Sequence, residues 1–581
     1  MVTNKYITKI ASVIMAAAVI LCLLACAFSQ KLQAVYGNNA VAMEYESKLF
    51  DTDQIMDIDI LMDEDDWNDM LENAISEEYY SCDVVVNGKT FYSVGIRPKG
   101  NTSLSSIVND PDTDRYSFKL EFDHYIEGQA CYGLDKLILN NNYADATNMK
   151  EAIVYDMYQY LGVDASLYNY AKISVNGDYR GVYLALEAVE DSFMLRNYGT
   201  EDGNLYKPES MGIGGGVDGN GFPQKGEMPD GTDFPQKGEM PDGNGFPQKG
   251  EMPDGADFPQ KGEMPDGEDF PQKGEMPDGE DFPQMGEAPN GEAADIKMGI
   301  MGGNGGADLN YTDDDLDSYS TIWDGEITDS DKKDHKRVVE ALKNISEGTD
   351  LETYMDVDNI LKYMAVHTFV VNDDSLSGTM AHNYYLYEYN GKLNILPWDY
   401  NLSFGGMSMG GKMGGQSLGA TSVINDAIDT PFSITDFFDA LLENEEYLEQ
   451  YHGYLNELVE KYVNGGEFEK TYERIRSQID DLVGNDPTAF YSYEEYEEAA
   501  NMLIEVVQLR AKSVSGQLAG TIPSTDEGQQ QDSSNLIDGS DIDLSVMGSF
   551  SGGGGGNEGQ GKDNGFAGTP QPFDAGDVSP I

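Results

Sequence analysis

Positive charge is scarce in this 581-residue chain: 36 Lys and Arg stand against 104 Asp and Glu, a formal net charge of −68. A nucleic-acid binder neutralises phosphates with clustered cations, and no long basic stretch interrupts the acidic background. Nucleic acid is therefore excluded as a partner, and docking on anionic lipid headgroups is disfavoured. Cysteine is nearly as sparse. Two of the four, Cys22 and Cys26, lie in an apolar run at the N-terminus, which leaves Cys82 and Cys131 for at most one disulfide outside the cell. The absence of a C-x-x-C pair speaks against structural zinc. No Walker sequence is present and no G-x-G-x-x-G follows a strand-like run, so no ready-made phosphate loop announces itself.

Residues 1–30 place Lys5 and Lys9 before an unbroken apolar and small run from Ile10 to Phe28. This reads as an export signal or a membrane anchor, with Ala25-Cys26-Ala27 as a small-residue cleavage site and Leu23-Leu24-Ala25-Cys26 resembling a lipobox. The cations ahead of the run favour the N-terminus inside and the bulk outside, hence an exported, cell-surface or membrane-anchored protein.

Glycine is abundant, with 65 residues, but concentrated. Between 209 and 307, Phe222, Phe234, Phe246, Phe258, Phe270 and Phe282 each open a copy of a twelve-residue F-P-Q-K/M-G-E-M/A-P-D/N-G-x-x repeat. Each copy carries two prolines, at least two glycines and one aromatic side chain, too little to offset chain entropy, so a disordered insert is expected. Residues 524–581, with Gln529 to Gln531 and Gly552 to Gly556, read as a disordered acidic tail. What remains, 45–208 and 308–523, is sized for one folded unit interrupted by a loop.

Within it, three pairs of strand-like runs flank Asn-Gly: Cys82–Val94, Ile173–Leu184 and Tyr384–Leu396, each a hairpin signal. Asn148–Leu161 sets Met149, Ile153, Met157 and Tyr160 at helical spacing. The second part turns helical over Asp356–Val370, Ser433–Tyr462, Glu467–Leu482 and Tyr493–Leu518. A strand-rich N-terminal part followed by a helical C-terminal part is the order of a two-lobed α+β enzyme.

Polar residues are densest in Asn372-Asp373-Asp374-Ser375, His382-Asn383 and Asp399-Tyr400-Asn401, all with apolar flanks. Carboxylates and an Asn at the ends of apolar elements suit a hard divalent cation. The plainer alternative is that Asp373 and Asp374 cap turns and Asp399 starts a loop. His367, alone on an apolar helix, reads as a core residue, and Gly405 to Gly411 as a loop able to gate a substrate.

The strings VNDDSLSGTMAHNYYLYEYNGKLNILPWDYNLSFGG, RPKGNTS, RYSFKLEFD, GLDKLILNN, VNGDYRGVYLALEAVEDSFM and GNLYKPES resemble the spore coat protein H (CotH) kinase family. The resemblance implies an atypical, protein-kinase-like two-lobed fold that transfers the ATP γ-phosphoryl group to serine with Mg²⁺ or Mn²⁺, on protein substrates of a surface or spore-coat type. It makes Asp374 the catalytic Asp, Asp399 a metal ligand in the role of the DFG Asp, and Asn383 a second metal or positioning ligand. Arg97, Lys99 and Lys119 become the candidate triphosphate cations, Glu187 the partner of that lysine with Glu190 as a rival, and Lys207 a nucleotide contact. The competing expectation is a non-catalytic surface or coat scaffold that keeps the fold, its acidic repeats joining partners or binding Ca²⁺ weakly.

Overall fold

Three Asn-Gly turns organise the sheets of the computed structural model, which describes residues 41–208, 305–378, 381–407 and 419–550. The N-terminal run, the repeats and the glycines beyond 550 lie outside the described residues. Asn87-Gly88, Asn176-Gly177 and Asn390-Gly391 all take positive φ at both positions, the pair of left-handed residues that matches the right-handed twist of flanking strands. They join β2 (Tyr80–Val86) to β3 (Lys89–Lys99), β6 (Tyr168–Val175) to β7 (Asp178–Glu187), and β9 (Tyr384–Tyr389) to β10 (Lys392–Pro397).

With β1 (Met56–Leu61), β4 (Ser117–Glu121) and β5 (Lys136–Asn140), the first two hairpins close a seven-stranded barrel of order β1-β2-β3-β4-β5-β7-β6. Only the β1–β6 pairing in it is parallel. Alternation sorts the side chains. Ile58, Val84, Ile96, Phe118, Leu120, Leu137 and Leu139 fill the interior, so Arg97, Lys99, Lys119 and Asn140 stand on the outer face of β3, β4 and β5. The third hairpin pairs with β8 (Asn204–Tyr206) in a separate three-stranded sheet.

A second core joins the outside of the barrel to the rest. It contains Ile138, Leu184 and Leu186 from the strands, the buried faces of α1 (Lys150–Leu161) and α2 (Asp191–Tyr198), the β9–β10 hairpin, and the helices α3 (Val357–Val370), α4 (Glu445–Glu457), α5 (Glu467–Gly484) and α6 (Tyr493–Leu518). The strand-rich and helical parts are therefore both present, and the described residues fall in one compact unit. Arg115, 2 % exposed, ties the parts together by bonding Asp486 at 2.8 Å and the Val182 carbonyl at 2.5 Å.

Four expectations need correction. The helix expected over Ser433–Tyr462 is broken into Asp439–Leu442 and α4, because the Asn444 side chain accepts the Glu446 and Tyr447 N–H groups and starts a new helix. Tyr160, expected on the buried face of α1, is exposed, whereas Met149, Ile153 and Met157 are buried. Cys82 and Cys131 form no disulfide: both are free buried thiols, and burial pushes the Cys82 thiol up to about 12. The segment after 523 is not featureless, since Asp526–Gln531 is helical, Leu544–Met547 forms a 3₁₀ turn, and Met547 is 1 % exposed in the main core. Among the described residues no helix is long and apolar enough to cross a membrane.

Candidate active site

Lys99 ends β3, and Trp398 and Asp399 follow β10; the fold brings these two strand ends together. The Lys99 ammonium lies 5.5 Å from the Trp398 ring centroid and donates to Asn140 Oδ1 at 3.0 Å. Asn140 in turn donates to Glu151 Oε2 at 2.9 Å. The Tyr400 backbone and Asp399 both act on the Glu151 pKa, which places this α1 carboxylate beside Asp399.

The charges of the cluster act on one another. Burial lowers the Lys99 pKa, and attraction to Asp399 opposes that. Asp399 is raised by burial, with Lys99 pulling it back and Asp374 pushing it further up; Lys207 and His382 also lower it. Glu151 is pushed up to about 8, first by burial and then by repulsion from Asp399. The two carboxylates thus repel each other while Lys99 partly relieves both, and a further cation would relieve them more.

Asp374 approaches from the other side. At the end of α3, Val371 sits at φ 49 and ψ 70, left-handed backbone that a β-branched residue seldom adopts and that costs about 1–3 kcal/mol. The twist turns Asn372-Asp373-Asp374 back toward the hairpin. Gly378 allows the return: a Cβ there would lie 1.7 Å from the Asp373 carbonyl oxygen. Asn383, itself at φ 58, donates through Nδ2 to the Asp374 backbone oxygen and to Oδ2, both at 2.9 Å. His382 Nε2 stands 3.1 Å from Asp374 Oδ1. Asp399 is likewise left-handed, at φ 60.

Two buried oxygens here lack a hydrogen-bond partner: Glu151 Oε1 and Asn372 Oδ1. A buried acceptor left unsatisfied costs about 1–3 kcal/mol. Carboxylate and amide oxygens are the donors that Mg²⁺ or Mn²⁺ takes. Among the described residues no three His, Cys, Asp or Glu side chains form a ready cage; Mg²⁺ commonly binds one or two carboxylates and completes its shell with substrate phosphates.

Of the residues singled out from the sequence, the structure assembles Asp374, Asn383, Asp399, Lys99 and Lys207, the last 6.0 Å from the Tyr385 ring centroid. Three others are engaged elsewhere. Lys119 pairs with Glu190, which Lys136 also contacts; Arg97 pairs with Glu77; and Glu187, 0 % exposed, receives Arg196 at 2.6 and 2.9 Å, the Tyr45 hydroxyl at 2.5 Å and the Leu167 N–H at 3.1 Å. The rival Glu190, not Glu187, is therefore the partner of Lys119. Sequence reasoning missed Glu151 and Asn140, and named Asn372 in the polar cluster without giving it a role. The available signal for Glu151 was its stripe: Glu151, Tyr155 and Tyr158 recur at i, i+4 and i+7 on α1, and both tyrosines pack on Tyr400, whose hydroxyl lies 2.5 Å from that of Tyr158. His367 is a core residue, 1 % exposed, between Tyr400 and Ser377. The expected gating loop is described only as far as Met407.

The family model for the CotH kinase protein matches residues 96–255 and 284–514, more than half of the chain. The chain belongs to the CotH kinase family. No curated protein matches it. The match to the CotH family takes in all five assembled residues and Glu151 as well, and it stops short of the structured segment that follows α6.

Proposed function

We propose that this CotH chain is a metal-dependent protein kinase that transfers the γ-phosphoryl group of ATP to a serine or threonine hydroxyl of a protein. The observation that supports this most strongly is the clustering of Lys99, Asp399 and Glu151, whose charges act on one another, with Asp374 beside Asp399. Phosphoryl transfer needs in-line positioning and cancellation of spreading negative charge more than covalent chemistry by the protein. Lys99 supplies a fixed cation for phosphate oxygens. Asp399, Glu151 and Asn372 offer oxygens to Mg²⁺ or Mn²⁺, and the ion when bound neutralises charge on the transferring group.

Asp374 takes the hydroxyl proton as the acceptor oxygen bonds to phosphorus and the bond to the ADP oxygen breaks. Its two oxygens are held by Asn383 and His382, which fixes the carboxylate where a hydroxyl can meet it. In this reading Asn383 is a positioning residue whose amide N–H₂ serves Asp374, leaving Oδ1 as the end able to face a cation. The N-terminal run suits a surface or coat location for such a kinase. The test is transfer of radiolabel from [γ-³²P]ATP by the full chain with Mg²⁺ or Mn²⁺, to itself or to a serine-rich acceptor. Label that disappears in Asp374→Ala and Asp399→Ala supports the kinase; nucleotide binding without transfer to any protein supports a scaffold that has kept the fold.

A further inference from the structure

The CotH match ends at residue 514, inside α6, but the described chain runs on to Phe550. It does not leave the domain. The Ile537 N–H donates to Asn425 Oδ1 at 2.9 Å and its carbonyl accepts Asn425 Nδ2 at 2.8 Å. The Gly539 N–H donates to Thr421 Oγ1 at 3.0 Å. Met547 is buried in the main core.

The last four described residues make the telling contacts. The Met547 carbonyl accepts the Ala146 N–H at 3.1 Å, and the Phe550 N–H donates to the Gly406 carbonyl at 3.0 Å. Met407 and Phe550 also form a parallel β-bridge. Gly548, at φ 83, passes so close to the neighbouring loop that a Cβ would lie 2.6 Å from the Ala144 carbonyl oxygen. Residues 547–550 are thus wedged between two loops. One, 143–149, leads directly into α1 and Glu151. The other, 400–407, leads out of Asp399. Asn401 Nδ2 donates to the Tyr143 carbonyl at 2.8 Å, so the same loops also touch each other beside the wedge.

We infer that residues 533–550 are a latch that sets the spacing of Asp399 and Glu151, and so positions the metal-binding end of the pocket from outside the part of the chain the family match covers. The inference rests on the kinase reading for what the pocket binds. A latch of this kind acts on the carboxylate pair and leaves Lys99, held by β3 and Asn140, in place. Its removal therefore weakens metal-dependent nucleotide binding selectively.

The test uses full-length chain carrying Gly548→Val, which cannot seat against Ala144, and Met547→Glu as a second way to unseat the wedge; Gly554→Val, in the glycine run beyond the described residues, is the control. A fluorescent ATP analogue is titrated with and without Mn²⁺, and amide exchange is followed at Ala146 and Phe404. The latch predicts that both unseating variants raise the Mn²⁺ concentration needed for half-maximal binding tenfold or more, change metal-free binding less than twofold, and exchange faster at Ala146, while Gly554→Val matches the parent. Equal loss with and without Mn²⁺ marks a general loss of fold and overturns the latch, as does unchanged Mn²⁺ dependence. If the parent chain binds no nucleotide, the kinase reading falls, and unchanged exchange at Ala146 and Phe404 in both variants then overturns the hold on the two loops separately.

Discussion

Glu151 and Glu187 are both buried carboxylates, 4 % and 0 % exposed, and their surroundings could hardly differ more. Glu187 is saturated by a bidentate Arg196, a tyrosine hydroxyl and a backbone N–H. Glu151 has one satisfied oxygen, one without a partner, and a second carboxylate for a neighbour. A fold that completes one buried acid and leaves another incomplete has built a structural hub in the first place, and the second is where the proposed kinase takes its cation. The same contrast separates the lysines on the outer barrel face: Lys119 shares Glu190 with Lys136, while Lys99 points to an amide and toward Asp399.

The largest expected effect tests the incomplete side. Asp399→Asn keeps the shape but removes the charge, and phosphoryl transfer is expected to fall about 10³-fold or more, as when one preorganised electrostatic group is lost from a catalytic site. Thermal melting should be unchanged or raised, because the repulsion on Glu151 is relieved. A variant that loses stability in proportion to activity would turn Asp399 into a structural residue and break the contrast.

Glu187→Ala tests the complete side and should do the reverse. It strands Arg196 in the interior, and removing one partner of a buried pair costs about 3–5 kcal/mol. Urea unfolding should show that loss. Whatever chain remains folded should bind nucleotide with parental affinity; a specific loss of binding at parental stability would return Glu187 to the site.

How much of this was readable beforehand follows from where each cause lies. The hairpins were legible because Asn-Gly dictates left-handed backbone locally. Asp374, Asn383 and Asp399 stood out as polar residues inside apolar runs, and only the resemblance to the CotH family gave them roles. Glu151 was not, since its meaning comes from Asp399, on an element far away in sequence. Alternation along β4 sets Lys119 opposite Phe118 and Leu120, but choosing between Lys99 and Lys119 depends on where β10 ends, which no local pattern states. The latch was hidden by composition: a glycine- and serine-rich segment reads as disorder until Met547 is seen in the core.

His367 extends the comparison to pH. Burial pushes its pKa down to about 3 from an ordinary 6.5. The unfolded chain binds the proton more readily, so this contribution to stability is complete above pH 6.5 and is lost as pH falls from 6.5 toward 3. At about 1.4 kcal/mol per unit the loss is at most about 5 kcal/mol. Chemical denaturation from pH 7 to 4 should show the fall, and His367→Gln should flatten it. An equally steep fall in the variant would assign the acid sensitivity to the carboxylates instead.

The smallest expected difference sharpens the contrast furthest, because it compares two lysines on one face of adjacent strands. Lys99→Met removes the cation that faces Asp399. Nucleotide affinity should drop about 10–100-fold, the scale of one charge-assisted contact of about 1.5–3 kcal/mol. Lys119→Met leaves Glu190 still covered by Lys136, and a partly exposed ion pair contributes about 0–1 kcal/mol. Affinity should then stay within about twofold. Titration of both variants with the same nucleotide decides the matter. If Lys119→Met were the weaker binder, the phosphates would lie over the middle of β4 and away from Asp399, and the pocket at the end of β3 would lose its claim to the nucleotide.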